Sequence, residues 1–410
     1  MRFLILVIFV FMQLHAFSTT IIVGQQKAVK SIKKGIELAK DGDTVKVMPG
    51  VYKEGSIIVK KSITLIGIHF PVIDGESKVE NMLISGRQIS ISGFHFINSK
   101  HSSYIDYSAI NIIDATKINI SNNKITDAHF AIHVSNSTHC TIDRNSITGH
   151  ATITQSAGNG IHIWKSANIL VTNNGITGHR DGIYFEFVTH SDIRNNKSIN
   201  NIRYGLHFMF SHYNHYAYNL FKNNGAGVAV MYTHHVSMEN NIFTQNWGAS
   251  SYGILLKDIT DSKIINNQFL SNTTGILMEG CNRIDVKRNS FNHNGWAMKV
   301  QANCENNVIS TNNFKNNTFD IATNGTSVMS SFDHNYWDKY EGYDLNKDGI
   351  GDVAYHPVSL YSMVIEKNPN ALFLLRSFLV TLLDKVEKTM PAITPVELVD
   401  KKPTMKPFQL

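Results

Sequence analysis

One residue type returns down this chain at almost fixed intervals. Asparagine, one variable residue and a large apolar residue recur in NNKIT (122–126), RNSIT (144–148), ENNIF (239–243), INNQF (265–269) and KRNSF (287–291). The aligned asparagines are Asn123, Asn145, Asn174, Asn196, Asn219, Asn241, Asn267, Asn289, Asn312 and Asn335, with gaps of 22, 29, 22, 23, 22, 26, 22, 23 and 23. A second register agrees with the first. Gly160, Gly182, Gly205, Gly227, Gly253 and Gly275 each open a short apolar run, and Ala297 continues the series. A period near 22 with β-rich runs and Asn/Gly turns belongs to a β-solenoid. No unit has the length or the 3.6-residue pattern of a helix, and the Leu/Asn frame of a leucine-rich repeat is absent. The expected fold is all-β, a right-handed parallel β-helix. Its coils would stack at about 4.8 Å, and equivalent Asn amides would bond up a ladder. The two long gaps mark insertions near HATITQSAG (150–158) and NWGASSYG (246–253). Insertions in a solenoid leave as loops, often on the binding face.

The ends differ from the repeat. Arg2 followed by the apolar run FLILVIFVFMQL (3–14) and the small-x-small triplet Ala16-Phe17-Ser18 reads as a signal peptide. KAVKSIKKGIELAK (27–40) is amphipathic, with Val29, Ile32, Ile36 and Leu38 suited to one face, and should cap the open end of the coil stack. NPNALFLLRSFLVTLLDKVEK (368–388) reads as one strongly apolar helix, a second cap or a contact surface, and the four-proline tail after Met390 as extended chain. The expected divisions are a signal peptide over 1–18, the β-helix over 19–366, a C-terminal helix over 367–390 and a tail over 391–410. Export implies an oxidising space. Cys140, Cys281 and Cys304 cannot all pair within the chain, so no disulfide framework exists. Cys281 and Cys304 lie one coil apart, so either a disulfide or two buried thiols is open. The net charge of +6 is spread over scattered Lys and Arg, which argues against nucleic acid as a partner.

Strand side chains alternate in and out. In GIHIW (160–164), GIYFEF (182–187), GLHFMF (205–210) and GVAVMY (227–232), the residues Ile161, Ile163, Ile183, Phe185, Leu206, Phe208, Val228 and Val230 should point inward. His162, Tyr184 and His207 then share one outward column, and Glu186, Met209 and Met231 the next. Lys257, Glu279 and Lys299 continue as an ordinary solvated face. The following turns add His190, His212, His234 and His235. Thioether plus imidazole is the ligand set that suits copper, Cu(I) above all. The rival is a carbohydrate-binding or carbohydrate-cleaving β-helix. Such chemistry wants paired carboxylates, or a base with a charge-stabilising metal or Arg. The stripe offers Glu186, with Asp181 and Asp192 in nearby turns, and Trp164 and Tyr184 could stack on sugar rings. A third class is a pure scaffold. Separately, Asp344, Asn346, Asp348 and Asp352, with Gly349, match the start of a calcium loop. Tyr355 stands where the closing bidentate acid belongs, and a tight Asx/Gly turn is the competing reading.

RYGLHFMFSH (203–212), GVAVMYTHH (227–235), GILLKD (253–258) and NYWDKYEGYDLNKDGIGDVAYHP (335–357), with SLYS directly after, resemble the NosD family of periplasmic maturation proteins of nitrous oxide reductase. The resemblance runs from about residue 20 to about 400. It implies a protein that is not an enzyme. Such a protein works with an ABC transporter, an ATPase plus a membrane subunit on which the β-helix sits from outside. It implies handling of copper for the copper–sulfide centre of the reductase, with metal handed over by a lipid-anchored copper chaperone. The copper role carries over onto His207, Met209, His212 and Met231, which stand inside the matching blocks. His162, Glu186, His234 and His235 rest on the alternation argument alone.

Overall fold

The computed structural model describes residues 18–102, 105–325, 329–390 and 398–410; the proposed leader over 1–18 lies almost wholly outside the described residues. The chain winds as a parallel β-solenoid. Each coil contributes a strand to each of three ladders, and every strand pairing between coils is parallel. The front face is built from strands such as Ile161–Trp164, Asp181–Glu186, Tyr204–Met209, Ala226–Met231 and Tyr252–Lys257. A second ladder runs through Leu170–Thr172, Asp192–Arg194 and His215–Ala217. The third is a separate 13-stranded sheet ending at Tyr336–Trp337. The first two belong to one sheet because Met82–Ser92 and Ser108–Ser121 are long enough to run round the corner between them.

The inward residues of the front face are fully buried, as alternation requires. Inside the third ladder Phe221, Phe243, Phe269, Phe291, Phe314 and Trp337 stack at 4.1–5.4 Å between ring centres. The repeating asparagines bind the coils. The backbone N–H and side-chain Nδ2 of Asn196 both donate to Oδ1 of Asn219, which does the same to Asn241. Each Nδ2 also donates to a backbone carbonyl of the preceding coil, Val171 for Asn196 and Ile193 for Asn219. The amide thus satisfies buried turn backbone that has no strand partner. The glycine register has a steric cause. A Cβ on Gly205 would lie 2.6 Å from the carbonyl oxygen of Gly227 in the next coil.

Both insertions leave at the corner between the third ladder and the front face, before Ile161–Trp164 and before Tyr252–Lys257. At the N-terminal end the helix α1 (Ile32–Leu38) closes the first coil. Ser31 caps it by accepting from Lys34, and Glu54 takes the free N–H groups of Ile32 and Lys33 at 2.7 and 2.9 Å. Ile32 and Ile36 are buried, but Leu38, two residues beyond Ile36, turns to solvent and is 51% exposed.

The C-terminal end departs from the sequence expectation. Residues 368–388 are not one helix. The chain forms α2 (Leu360–Lys367), a 3-10 segment (Pro369–Leu374) and α3 (Phe378–Thr389). Pro369 lacks the N–H that would continue α2, Arg376 takes a left-handed φ of 69°, and Ser377 caps α3. These helices pack on the front face of the last coils, where Tyr361, Ile365, Ala371 and Val380 cover Trp296, Phe319 and Ala322. The tail performs the other half of the capping. Asp400 is fully buried, and its Oδ2 accepts from the backbone and side chain of Asn335 and from Trp337 Nε1 at 3.0–3.1 Å. No helix among the described residues is long and apolar enough to cross a membrane.

Candidate metal-binding face

The front face carries two outward columns. The first runs Asn111, His133, His162, Tyr184, His207, Ala229, Leu255, Leu277, Lys299. The second runs Ser135, Trp164, Glu186, Met209, Met231, Lys257, Glu279. Lys299 therefore does not continue the Lys257 position. It stands two residues after Ala297, whereas Lys257 stands four after Gly253, so it falls in the His207 column. There it pairs with Glu366 of α2 at 2.9 Å.

The first column points outward, yet His162 and His207 within it are closed from solvent. His133, His162, Tyr184 and His207 stack with successive ring-centre separations of 5.0, 4.8 and 4.7 Å. Phe130 and Tyr204 pack beside them, 5.5 Å from His162 and 4.8 Å from His207. His162 is 8% exposed and His207 4%, and both ring nitrogens of each lack a hydrogen-bond partner. Burial pulls the His162 imidazole down to about 3, with help from the charges of His133, Arg180 and His207. Asp181 Oδ2 lies 3.6 Å from His207 Nδ1 and 3.7 Å from Arg180 Nε, stretched contacts that leave all three atoms unsatisfied. Buried polar atoms normally have hydrogen-bond partners, and an imidazole nitrogen without one is suited to receive a ligand.

The second column holds the thioethers. Met209 and Met231 are register partners, both half-buried. Tyr184 Oη lies 3.6 Å from Met209 Sδ while its ring stacks on His207, which joins the two columns at this coil. Glu186 precedes Met209 in the same column. The turn that follows forms a third group. His212 stacks on His234 at 3.9 Å, and His234 Nδ1 lies 2.9 Å from His235 Nδ1. His212 Nδ1 accepts the backbone N–H of His234, so that nitrogen already has a partner. The sequence stripe thus separates into a buried ring stack with His162 and His207, a thioether pair with Glu186, and a corner with His212, His234 and His235.

At that corner Phe187, Phe210 and Tyr232 stack at 5.3 and 5.1 Å, and Phe187 and Tyr232 are exposed. Their φ angles are 50–54°, at positions held elsewhere by Asp114, Asn136, Lys165, Asp258 and Gly280. His133 and Arg180 were not legible as members of the site. The 29-residue gap displaces His133 from the regular register, so its alignment with His162 is lost to inspection.

Among the described residues no three His, Cys, Asp or Glu side chains converge closely enough to hold a metal ion. A metal position on this face must use two imidazoles or include thioether sulfur. In the 344–352 loop the oxygens are engaged by the turn itself. Asp344 accepts from Asp348 and Gly349, Asn346 from Asp348, Asp348 from Ile350, and Asp352 from Leu345. The three cysteines are buried free thiols, with Cys304 Sγ accepting from the backbone N–H of Cys281 at 3.4 Å.

Fold and face together define a parallel β-helix protein with an imidazole and thioether surface. Residues 143–347 match the family model described as periplasmic copper-binding protein (NosD), half of the chain, and the chain belongs to that family. Two curated relatives carry the name "Probable ABC transporter binding protein NosD". The one from Pseudomonas aeruginosa is 31% identical over 175 residues, and that from Stutzerimonas stutzeri is 28% identical over 174. Each match spans 38% of this chain and 40% of the relative. Among solved structures, the catalytic domain of a GH87 alpha-1,3-glucanase superposes with a TM-score of 0.61 at 13% identity, covering 78% of this chain and 69% of that one. The Dettilon tailspike protein superposes at 0.56 with 11% identity, covering 69% and 62%. At such identities the likeness is one of fold alone.

Proposed function

We propose that this chain is a periplasmic accessory protein of an ABC transporter that receives and passes on copper for the copper–sulfide centre of nitrous oxide reductase. The observation that carries the reading is the registered pair Met209 and Met231 beside His207, inside the stretch that matches the copper-binding family. Two flexible thioethers one coil apart can close on Cu(I). His207, two residues from Met209 in the neighbouring column, offers nitrogen without a competing hydrogen bond. A site of two or three soft ligands stays open to ligand exchange, which transfer needs and storage does not. The donor would be a lipid-anchored copper chaperone, and the transporter's membrane subunit and ATPase the platform. The relatives' names support a transporter association.

Anaerobic Cu(I) titration against a competing chelator tests the site. Wild type should bind, and Met209→Leu/Met231→Leu should bind at least tenfold more weakly with unchanged folding. Equal affinity sinks it. The carbohydrate reading draws on the fold neighbours and on the exposed rings of Phe187 and Tyr232. Release of sugar from a uronate polymer, with no copper bound, would establish that reading instead.

A further inference from the structure

We propose that His133 and His162 form a second copper position, two to four coils from the thioether pair and separated from His207 by Tyr184. The inference rests on the copper reading above and adds a site that the matched family stretch holds only in part, since His162 lies inside it and His133 precedes it.

Three observations carry it. The first is where unmet polar atoms collect. Of 15 buried side-chain nitrogen and oxygen atoms without a partner among the described residues, 11 belong to Ser108, His129, Asn159, His162, His179, Arg180, Asp181 and His207. The wall of a solenoid does not need them, since the Asn ladders and strand ladders already satisfy the backbone. The second is the orientation of His133. Glu80 Oε2 accepts from Asn111 Nδ2 at 2.9 Å, which turns Asn111 Oδ1 toward His133 Nδ1 at 3.3 Å. An amide oxygen only accepts, so Nδ1 carries the proton and the Nε2 lone pair is left free. A carboxylate or carbonyl behind one imidazole nitrogen, fixing the tautomer of the other, is how metal-binding histidines are usually held. The third is that His162 stacks 5.0 Å away with both ring nitrogens unpartnered.

Two imidazoles and no third ligand suit a low-coordinate Cu(I) ion rather than zinc, which takes four. His133 is half-buried and gives the route in. With His207 next to Met209 at the other end, the ring column offers an ion two resting places along the solenoid axis.

The experiment is anaerobic Cu(I) titration of the mature chain with chelator competition, followed by X-ray absorption on the bound copper. Wild type should hold two equivalents. His133→Phe/His162→Phe, which keeps the ring stack, should hold one, and Met209→Leu/Met231→Leu should hold the other with a nitrogen-only scattering shell. The melting temperature of each variant is checked, with His162→Gln as a second test if the phenylalanine pair does not fold. Two equivalents retained in the histidine variant overturn the proposal. So does a wild-type stoichiometry of one that is lost in the methionine variant alone, and that result leaves the thioether reading standing. One equivalent lost in the histidine variant alone would keep this proposal and overturn the thioether site.

Discussion

At the scale of single residues, the front face shows that outward does not mean exposed. Alternation in the sequence assigns His162 and His207 to the outer side, and the register confirms the column. Their closure comes from the size of their neighbours, Phe130, Tyr184 and Tyr204, whose rings lie over them. That consequence needs three coils in place and cannot be read from any one of them. It has a measurable effect on acid stability. Burial holds His162 near 3 and the fully buried His179 near 4, against about 6.5 in an unfolded chain. Below about pH 6.5 the unfolded chain therefore binds protons that the folded chain refuses, and stability falls as pH drops. Above pH 7 neither group contributes a slope. Each should remove roughly 2–3 kcal/mol by pH 4.5. Melting temperatures at pH 7 and 4.5 check this. His162→Phe should lose less on acidification than wild type, and an unchanged difference would show that His162 stays accessible to protons.

At the scale of elements, the Asn ladder is the part of the fold most legible in the sequence, because one amide serves one fixed backbone need per coil. Asn219→Ala removes the acceptor for two donors of Asn196 and the donor to Ile193. Leaving those groups buried and unpaired should cost about 2–4 kcal/mol, measurable by denaturant unfolding of that variant. A surface control such as Asn223→Ala, in an exposed contact with Asn200, should cost far less. The 344–352 loop differs: its spacing suggests an ion, and its side-chain oxygens also order a tight Asx/Gly turn. With its oxygens accepting backbone N–H groups, added calcium should leave the melting temperature unchanged. A rise of several degrees would mean that the loop reorganises around the ion. The C-terminal segment departs from a single helix for a third reason. Its apolar content is real, but Asn368-Pro369 and Ser377 divide it into segments that bend back onto Trp296 and Phe319.

At the scale of the whole molecule, the coil stack is finished by two unrelated pieces, α1 at one end and the tail at the other. The tail reads as mere extended chain until its partner is known, since nothing in its composition reveals that Asp400 is fully buried. Asp400→Ala would strip the acceptor from Asn335 and Trp337, and should cost about 3 kcal/mol or more. Hydrogen exchange should then rise first in the coils around Asn312 and Asn335 and last near Asn145. Uniform exchange along the stack would show that the tail is no special terminus.

The asparagine column also has a direction. Phe94 donates into it at Asn123, every later asparagine donates onward, and Asp400 receives the last bonds. Aligned amide dipoles of this kind add up as they do in a helix, with their positive ends toward the C-terminal end. A carboxylate is the chemically apt stopper for that end, since it carries the opposing charge and has no proton to offer a further coil. Parallel solenoids are at risk of growing into fibres by adding copies end to end. A polarised column ended by a buried anion presents no donor for a next copy to accept, so this thread of a filament in miniature stops at Asp400.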